Sequence, residues 1–406
     1  MTRTELLELI ANGEGSGVEF KRDEVTNYDL AKELVALANF AGGVVLLGVE
    51  DDGSIHGTTR DYLEEWVMET CRTKIEPPVI PYFSWYRDFE PGKDIAVVRV
   101  LGGPDKPYAR VHQNRRTYFI RVGSTSREAS AAELERMFQA GGRINYGLKP
   151  VPGAGLPDLD LPRLNDYFRR VLSSDTPPEG DAARWTEVLK NLDFMIRADD
   201  EIVTPTVDGL LLFGTNPKRY LPQSGVRAIA YPGTSPDYAT RADQELRGPL
   251  VPLADRQGAL VEAGLVEQAL DFIGRNTQPS AELSGGVRID RPAYPATVLR
   301  EVVVNALVHR DYSIVGTDIQ VVLFEDRLEV TSPGRLPNTA TVNGLRAGFR
   351  FARNQTLVNV MRDYRYVDFR GMGIRNKVIP GMQAHNGTEP EFIETDHAFA
   401  VRLWLG

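Results

Sequence analysis

Apolar positions over residues 1–142 follow two periods. A period of two predicts strands at 17–21, 44–50, 82–86, 94–100 and 117–122, whereas spacings of three and four predict helices at 28–40 and 60–71. A further helix opens at Ser130, where Glu133 completes a capping box. The amphipathic run 1–10, with Thr4 as N-cap and Asn12-Gly13 as stop, predicts a helix, because it lacks the basic start and apolar run of a leader. Helical spacing returns at 161–172, 183–197 and 257–274, with a strand-like run at 226–231. The last part predicts a helix at 299–308, a hairpin of 318–324 and 328–331 joined through Glu325-Asp326-Arg327, and a closing strand at 398–405. This mixture implies a multidomain α+β protein. The Pro- and Gly-rich stretch 150–157 reads as a linker, giving expected domains at 1–142, 158–283 and 284–406, the middle one a scaffold without recognisable chemistry.

Composition narrows the function class. The chain of 406 residues carries a formal net charge of -9, so any nucleic-acid contact must come from a local basic patch. Cys71 is the single cysteine, which excludes a disulfide framework and a cysteine-based zinc site and fits a reducing, cytoplasmic setting. No apolar run approaches bilayer length, so a membrane is not an expected partner.

The chemistry concentrates at two places. On a helix at 299–308, Glu301 and Asn305 stand one turn apart and project from one face. A carboxylate can polarise water, an amide oxygen can hold a magnesium ion that bridges phosphates, and the glycine pair Gly371 and Gly373 lets backbone N–H groups approach those phosphates. Near the N-terminus, Glu14 and Glu19 bracket a glycine-serine turn, and Glu50-Asp51 ends the strand at 44–50. The stretch holding Arg110, Arg115, Arg116, Tyr118 and Arg121, with Lys21 earlier, mixes arginines with aromatics in a region almost free of acids. Arginines neutralise phosphates and aromatics stack on bases, so this is a candidate nucleic-acid surface. In the competing reading, Tyr118 and Ile120 are core and the arginines merely solvated.

Glu301-Val302-Val303-Val304-Asn305-Ala306, then Ser332-Pro333-Gly334 and Gly371-Met372-Gly373, resemble the ATP-binding fold of the GHKL superfamily of gyrases, heat-shock chaperones, histidine kinases and MutL. The fuller run through His309-Arg310-Asp311-Tyr312-Ser313 resembles the ATPase-like domain fused to Schlafen-type AlbA domains. That resemblance implies ATP and Mg2+ as cofactors, Asn305 as metal ligand, Glu301 as the residue that positions water, and Ser332, Gly334, Gly371 and Gly373 around the nucleotide; from the basic run 346–370, Arg353 and Arg370 are candidates to meet the triphosphate charge. The superfamily places an aspartate at the glycine turn to read the adenine amino group; this chain has Thr331-Ser332. Related ATPase folds often dimerise, so a homo-oligomer is expected.

Val18-Glu19-Phe20-Lys21, the run 36–43, the run 48–53 and Tyr118 to Ser124 resemble a Schlafen AlbA-type domain. In Schlafen nucleases a matching glutamate pair and a later acid form a metal-dependent site, which implies Glu14 and Glu19 with Glu50 or Asp51 as metal-binding and catalytic groups. Three functions follow: a DNA- or RNA-binding regulator modulated by ATP, a metal-dependent endoribonuclease gated by nucleotide, or an ATP-binding interaction protein without nucleic-acid contact.

Overall fold

The computed structural model describes residues 1–406 except 104, 143, 175–180, 199–200, 279, 285–286, 338–339, 350–351, 368–371 and 396. The chain divides into two compact units, Met1–Ile144 and Asn145–Gly406.

In the first unit, strands Val18–Lys21 and Gly42–Leu47 pair in parallel across the helix Asn27–Asn39. Lys93–Leu101 and Tyr82–Glu90 then extend the sheet in antiparallel fashion. Alternation along Gly42–Leu47 feeds both faces of the sheet. Val45 and Leu47 meet Leu30, Leu34 and Leu37 of the Asn27–Asn39 helix, while Leu46 meets Leu6, Phe20 and Ile95 on the other side. Two hairpins complete the unit. Ala109–His112 and Arg115–Thr117 turn through Gln113 and Asn114, both with positive φ, the geometry that matches the twist of paired strands. Phe119–Val122 pairs with Thr125–Glu128.

The second unit is built on a six-stranded sheet in the order 242–246, 226–230, 319–323, 327–333, 398–404, 391–394. All neighbours are antiparallel except Val226–Ala230 with Ile319–Leu323, and the connection between those two carries the helices Leu265–Asn276 and Ala296–His309. Both helices contact the sheet and each other. Buried side chains from Val151 to Leu403 form one continuous core. The boundary expected at 284 is therefore not a structural division, since strands from either side of it hydrogen-bond within one sheet.

Local elements depart from expectation where capping or turn chemistry decides. The first helix, Arg3–Asn12, is capped by Thr2, whose side chain accepts from Glu5 N while Glu5 returns a bond to Thr2 N, so Thr4 lies inside it. The helix expected at 183–197 ends at Asn191, and Met195–Arg197 pairs with Val203–Pro205; Asp193, with φ 61°, sits in the turn between. The run 257–274 divides into a strand Leu260–Glu262 and the helix Leu265–Asn276, which starts where Glu267 accepts from Gly264 N. Among the described residues no helix is long and apolar enough to cross a membrane.

Candidate nucleotide-binding and nucleic-acid-binding sites

The Ala296–His309 helix presses Val298, Val303, Val304, Leu307 and Val308 into the core, each nearly or wholly buried. Burying each such side chain is worth about 1.5–3 kcal/mol, so that face is fixed firmly. Glu301, Asn305 and His309, one turn apart, instead line a cavity of about 470 Å3, within the roughly 300–1,000 Å3 usual for small-molecule sites. Its other walls come from Ser332 to Pro337, from the helix Gln355–Asp363 and from Met372 to Ile374, and they are largely apolar, with Val302, Val330, Leu336, Phe349 and Ile374 among them. A flat base suits such walls, and the polar edge is the Glu301–Asn305 stripe.

Glu301 is almost fully buried, yet its carboxylate is well supported. Asn305 Nδ2 donates to Oε1 at 3.2 Å, and Lys377 Nζ stands 3.5 Å from Oε2. The backbone of Gly373 packs directly on this group. A Cβ there would fall 1.7 Å from Glu301 Oε1, so the position admits only glycine if Glu301 is to stay. Just beyond Gly373, the π-turn Ile374–Val378 leads into the helix Ile379–Asn386. The residues present fit a nucleotide: apolar walls for a base, a glycine at the start of a helical segment for phosphates, and an amide beside a carboxylate. For Mg2+, Asn305 would supply one oxygen, with phosphates and water completing the shell.

The remaining expected residues divide. Ser332 lines the cavity, but its hydroxyl donates to Ala306 O at 2.8 Å and so ties the strand Arg327–Pro333 to the Glu301 helix. Gly334 also lines it; with φ 105° and a would-be Cβ 2.5 Å from Asp311 Cβ, only glycine turns the chain there. Arg353 is a correction. Its guanidinium donates to Asp311 Oδ2 and to Arg335 O, is largely buried and does not line the cavity, so it secures the glycine turn instead of meeting phosphate. Burial lowers the Arg353 pKa from its ordinary value, and the charge of Asp311 opposes that. Arg370 and Gly371 lie outside the described residues.

His309-Arg310-Asp311-Tyr312 closes the end of the helix. Arg310 is fully buried and donates to Asp311 O, Ile314 O and Thr317 O, while Tyr312 Oη donates to Leu307 O at 3.0 Å. His309 keeps an edge on the cavity, and burial first, then the neighbouring Arg353 charge, pushes its pKa down to about 4, so the ring is neutral at pH 7. Sequence reasoning missed Lys377 and Asn354. Asn354 Nδ2 donates to Val308 O and Arg310 O, both at 2.9 Å, closing carbonyls that the helix end leaves open. The available signal for Asn354 was its place immediately before an amphipathic helix.

In the first unit, Arg121 is buried and inaccessible to nucleic acid. Its Nη1 donates to Glu19 Oε2 at 2.5 Å and to Glu33 Oε2 at 3.2 Å, and its Nη2 donates to Gly15 O at 2.6 Å. Phe119 faces inward with it, so the strand alternates as expected but with the opposite face in the core. Lys21 Nζ takes the other oxygen of Glu19 at 2.5 Å and stands 4.0 Å from Glu14. Burial pulls the Lys21 ammonium down, but the bond to Glu19 and the surrounding carboxylates prevail and hold it above its ordinary value. Glu14 accepts from Phe20 N at 2.9 Å, and burial, with help from Glu19 and Asp51, raises its pKa. Glu50 points elsewhere, 3.5 Å from Arg22 and 3.7 Å from His56.

The expected metal triad is thus a second correction. Both oxygens of Glu19 are engaged by side-chain cations, Glu50 belongs to a separate surface cluster, and among the described residues no group of three or more His, Cys, Asp or Glu is placed to hold a metal ion. Arg116 forms a two-point pair with Glu76 at 2.7 and 2.9 Å. Arg110 lies half-buried over the Phe119 ring, and Tyr118 packs edge-on against Phe138. Arg115 is exposed beside the turn of its hairpin. On the neighbouring strand, exposed His112 meets the Tyr28 ring edge-on at 4.4 Å, and Lys74 Nζ lies 4.9 Å from the same ring.

Comparison with known proteins matches both units. Residues 14–130 match the family described as "Schlafen, AlbA_2", and residues 316–403 match the family described as "Putative ATP-dependent DNA helicase recG C-terminal", an HATPase-type domain. The chain pairs a Schlafen AlbA_2 domain with an HATPase-type domain. Two solved structures are also similar. The DIP2311 protein from Corynebacterium diphtheriae is 21% identical over 100% of this chain and 81% of its own, with a TM-score of 0.45. The N-terminal domain of a "Putative ATP-dependent DNA Helicase RecG-related Protein" from Nitrosomonas europaea is 22% identical over 32% of this chain and 94% of its own, with a TM-score of 0.25. No match was found among curated proteins. The HATPase-type match begins after the Glu301 helix, so the cavity joins residues inside the matched segment to Glu301 and Asn305 ahead of it.

Proposed function

We propose that this protein is an ATP-binding, nucleic-acid-binding regulator, in which the HATPase-type unit takes Mg2+-ATP and the AlbA_2 unit contacts DNA or RNA. One observation carries the nucleotide half: Glu301 and Asn305 share a cavity whose glycine-bearing edge, Gly373, rests on the carboxylate. ATP would place its base among the apolar walls and its phosphates toward Asn305 and Gly373. Bound there, the metal would neutralise phosphate charge. Calorimetry of ATP binding with Mg2+ tests this, comparing the parent with Asn305→Ala. Weakened binding in the variant is expected, and equal binding removes Asn305 from the site.

The nucleic-acid half rests on exposed Arg115 and His112 and on half-buried Tyr28 and Lys74. Arg115 and His112 at one hairpin end, with Tyr28 and Lys74 beside them, offer cations and a ring in an otherwise acidic protein. Fluorescence anisotropy with labelled single-stranded RNA and duplex DNA at low salt is the direct test. Loss of affinity in an Arg115→Ala, Lys74→Ala variant is expected; undiminished binding would move the contact elsewhere.

A further inference from the structure

We propose that Lys377, which pairs with the cavity residue Glu301 without itself lining the cavity, is a phosphate-binding residue, one that neutralises Glu301 before nucleotide arrives and turns into the cavity to the phosphate chain when it does. This rests on the ATP-binding reading above. Lys377 sits on the π-turn that follows Gly373, so its backbone is adjacent to the glycine against which Glu301 packs. Its Nζ is 3.5 Å from Glu301 Oε2, well beyond the roughly 2.7–2.9 Å of a tight ammonium–carboxylate bond. The pair is asymmetric in exposure, with the lysine side chain 36% exposed and the glutamate 5%. An ammonium on a flexible stem therefore stands between solvent and a buried carboxylate, loosely held.

Two further features make the exchange feasible. Glu301 does not depend on Lys377 alone, because Asn305 donates to Oε1 and the Gly373 backbone packs against the carboxylate. Of the arginines that line the cavity, Arg335 pairs with Glu394 and Arg362 donates to Asn359 Oδ1; farther out, Arg353 is bound to Asp311, Arg375 donates to Ala347 O, and Arg346 pairs with Glu389. A polyphosphate brings more negative charge than one carboxylate, so transfer of the ammonium to it is favourable, and Glu301 is released to face solvent within the site.

The test compares affinities of the full-length protein for adenosine, ADP and ATP, each with Mg2+, for the parent, Lys377→Met and Lys377→Arg. Loss of one charged contact to phosphate is expected to weaken ATP binding by about 10- to 100-fold in Lys377→Met. Adenosine binding should not change, and Lys377→Arg should recover much of the loss. A parallel weakening of adenosine and ATP, or an unchanged ATP-to-adenosine ratio, would overturn the assignment while leaving the nucleotide reading intact. A parent protein that binds adenosine and ATP equally, or neither, would overturn both.

Discussion

Asp208 offers the sharpest quantitative test of how the HATPase-type unit is held together. It lies fully buried in the helix Val207–Phe213, against Gly147, and neither carboxylate oxygen has a hydrogen-bond partner at ordinary bonding distance. Burial raises its pKa to about 7, opposed by the nearby Thr356 side chain on the helix that walls the cavity. The folded state therefore keeps a proton that the unfolded chain releases near pH 4. Because the folded pKa is the higher one, this group's contribution is fully present below about pH 4 and is lost as pH rises, until it levels off above about 7. With a folded value of about 7 and an unfolded value of about 3.8, the loss between pH 5 and pH 8 is about 2.5 kcal/mol, as an upper figure. Asp208→Asn keeps the shape and removes the titration. Urea unfolding at both pH values, with hydrogen exchange of the 207–213 segment assigning the transition to this unit, should show the parent losing that much more stability than the variant. Parallel losses in the two proteins would refute the reasoning.

Other outcomes follow from the geometry. Arg121→Met strands the buried carboxylates of Glu19 and Glu33 and should destabilise the AlbA_2 unit by about 3–5 kcal/mol in a thermal melt, whereas Arg115→Ala should leave the melt unchanged. That arginine's role in binding is checked by salt titration, where its removal should lower the slope of log affinity against log salt by about 1. Gly373→Ala should abolish ATP binding while preserving the fold, read by calorimetry beside circular dichroism, because the new methyl displaces Glu301. His309, with its folded pKa pushed down to about 4, contributes stability that is present above the unfolded value near 6.5 and lost as pH falls toward 4. His309→Gln should flatten that acid-side decline.

Part of the cavity was legible because helical spacing is strict: Glu301 and Asn305 share a stripe wherever the helix lies, whereas His309, beyond the expected helix end at 308, joins them only because the helix runs one residue further. Local signals also located Ser332 and Gly334 beside it. What sequence could not supply was the use made of each charge. Arg353 and Arg121 both look like phosphate contacts from composition, and both are consumed by acids distant in the chain, Asp311 in one case and Glu19 with Glu33 in the other. Glu14 and Glu19 with Glu50 or Asp51 resembled a metal set for the same reason, since the countercharges Lys21, Arg121 and Arg22 beside Glu14, Glu19 and Glu50 become visible only after folding. Register within a strand likewise depends on which face meets the core, and so Phe119 rather than Tyr118 points inward.

The parallel pairing of Val226–Ala230 with Ile319–Leu323 bears on how the protein can be dissected. A fragment cut at 284 would leave Ile319–Leu323 with a raw backbone edge and remove the Leu265–Asn276 helix, with buried Phe272 and Ile273, that packs on it, inviting pairing between molecules. Truncation should instead begin near Asn145, the start of the second compact unit, so that the nucleotide cavity travels with its whole supporting layer.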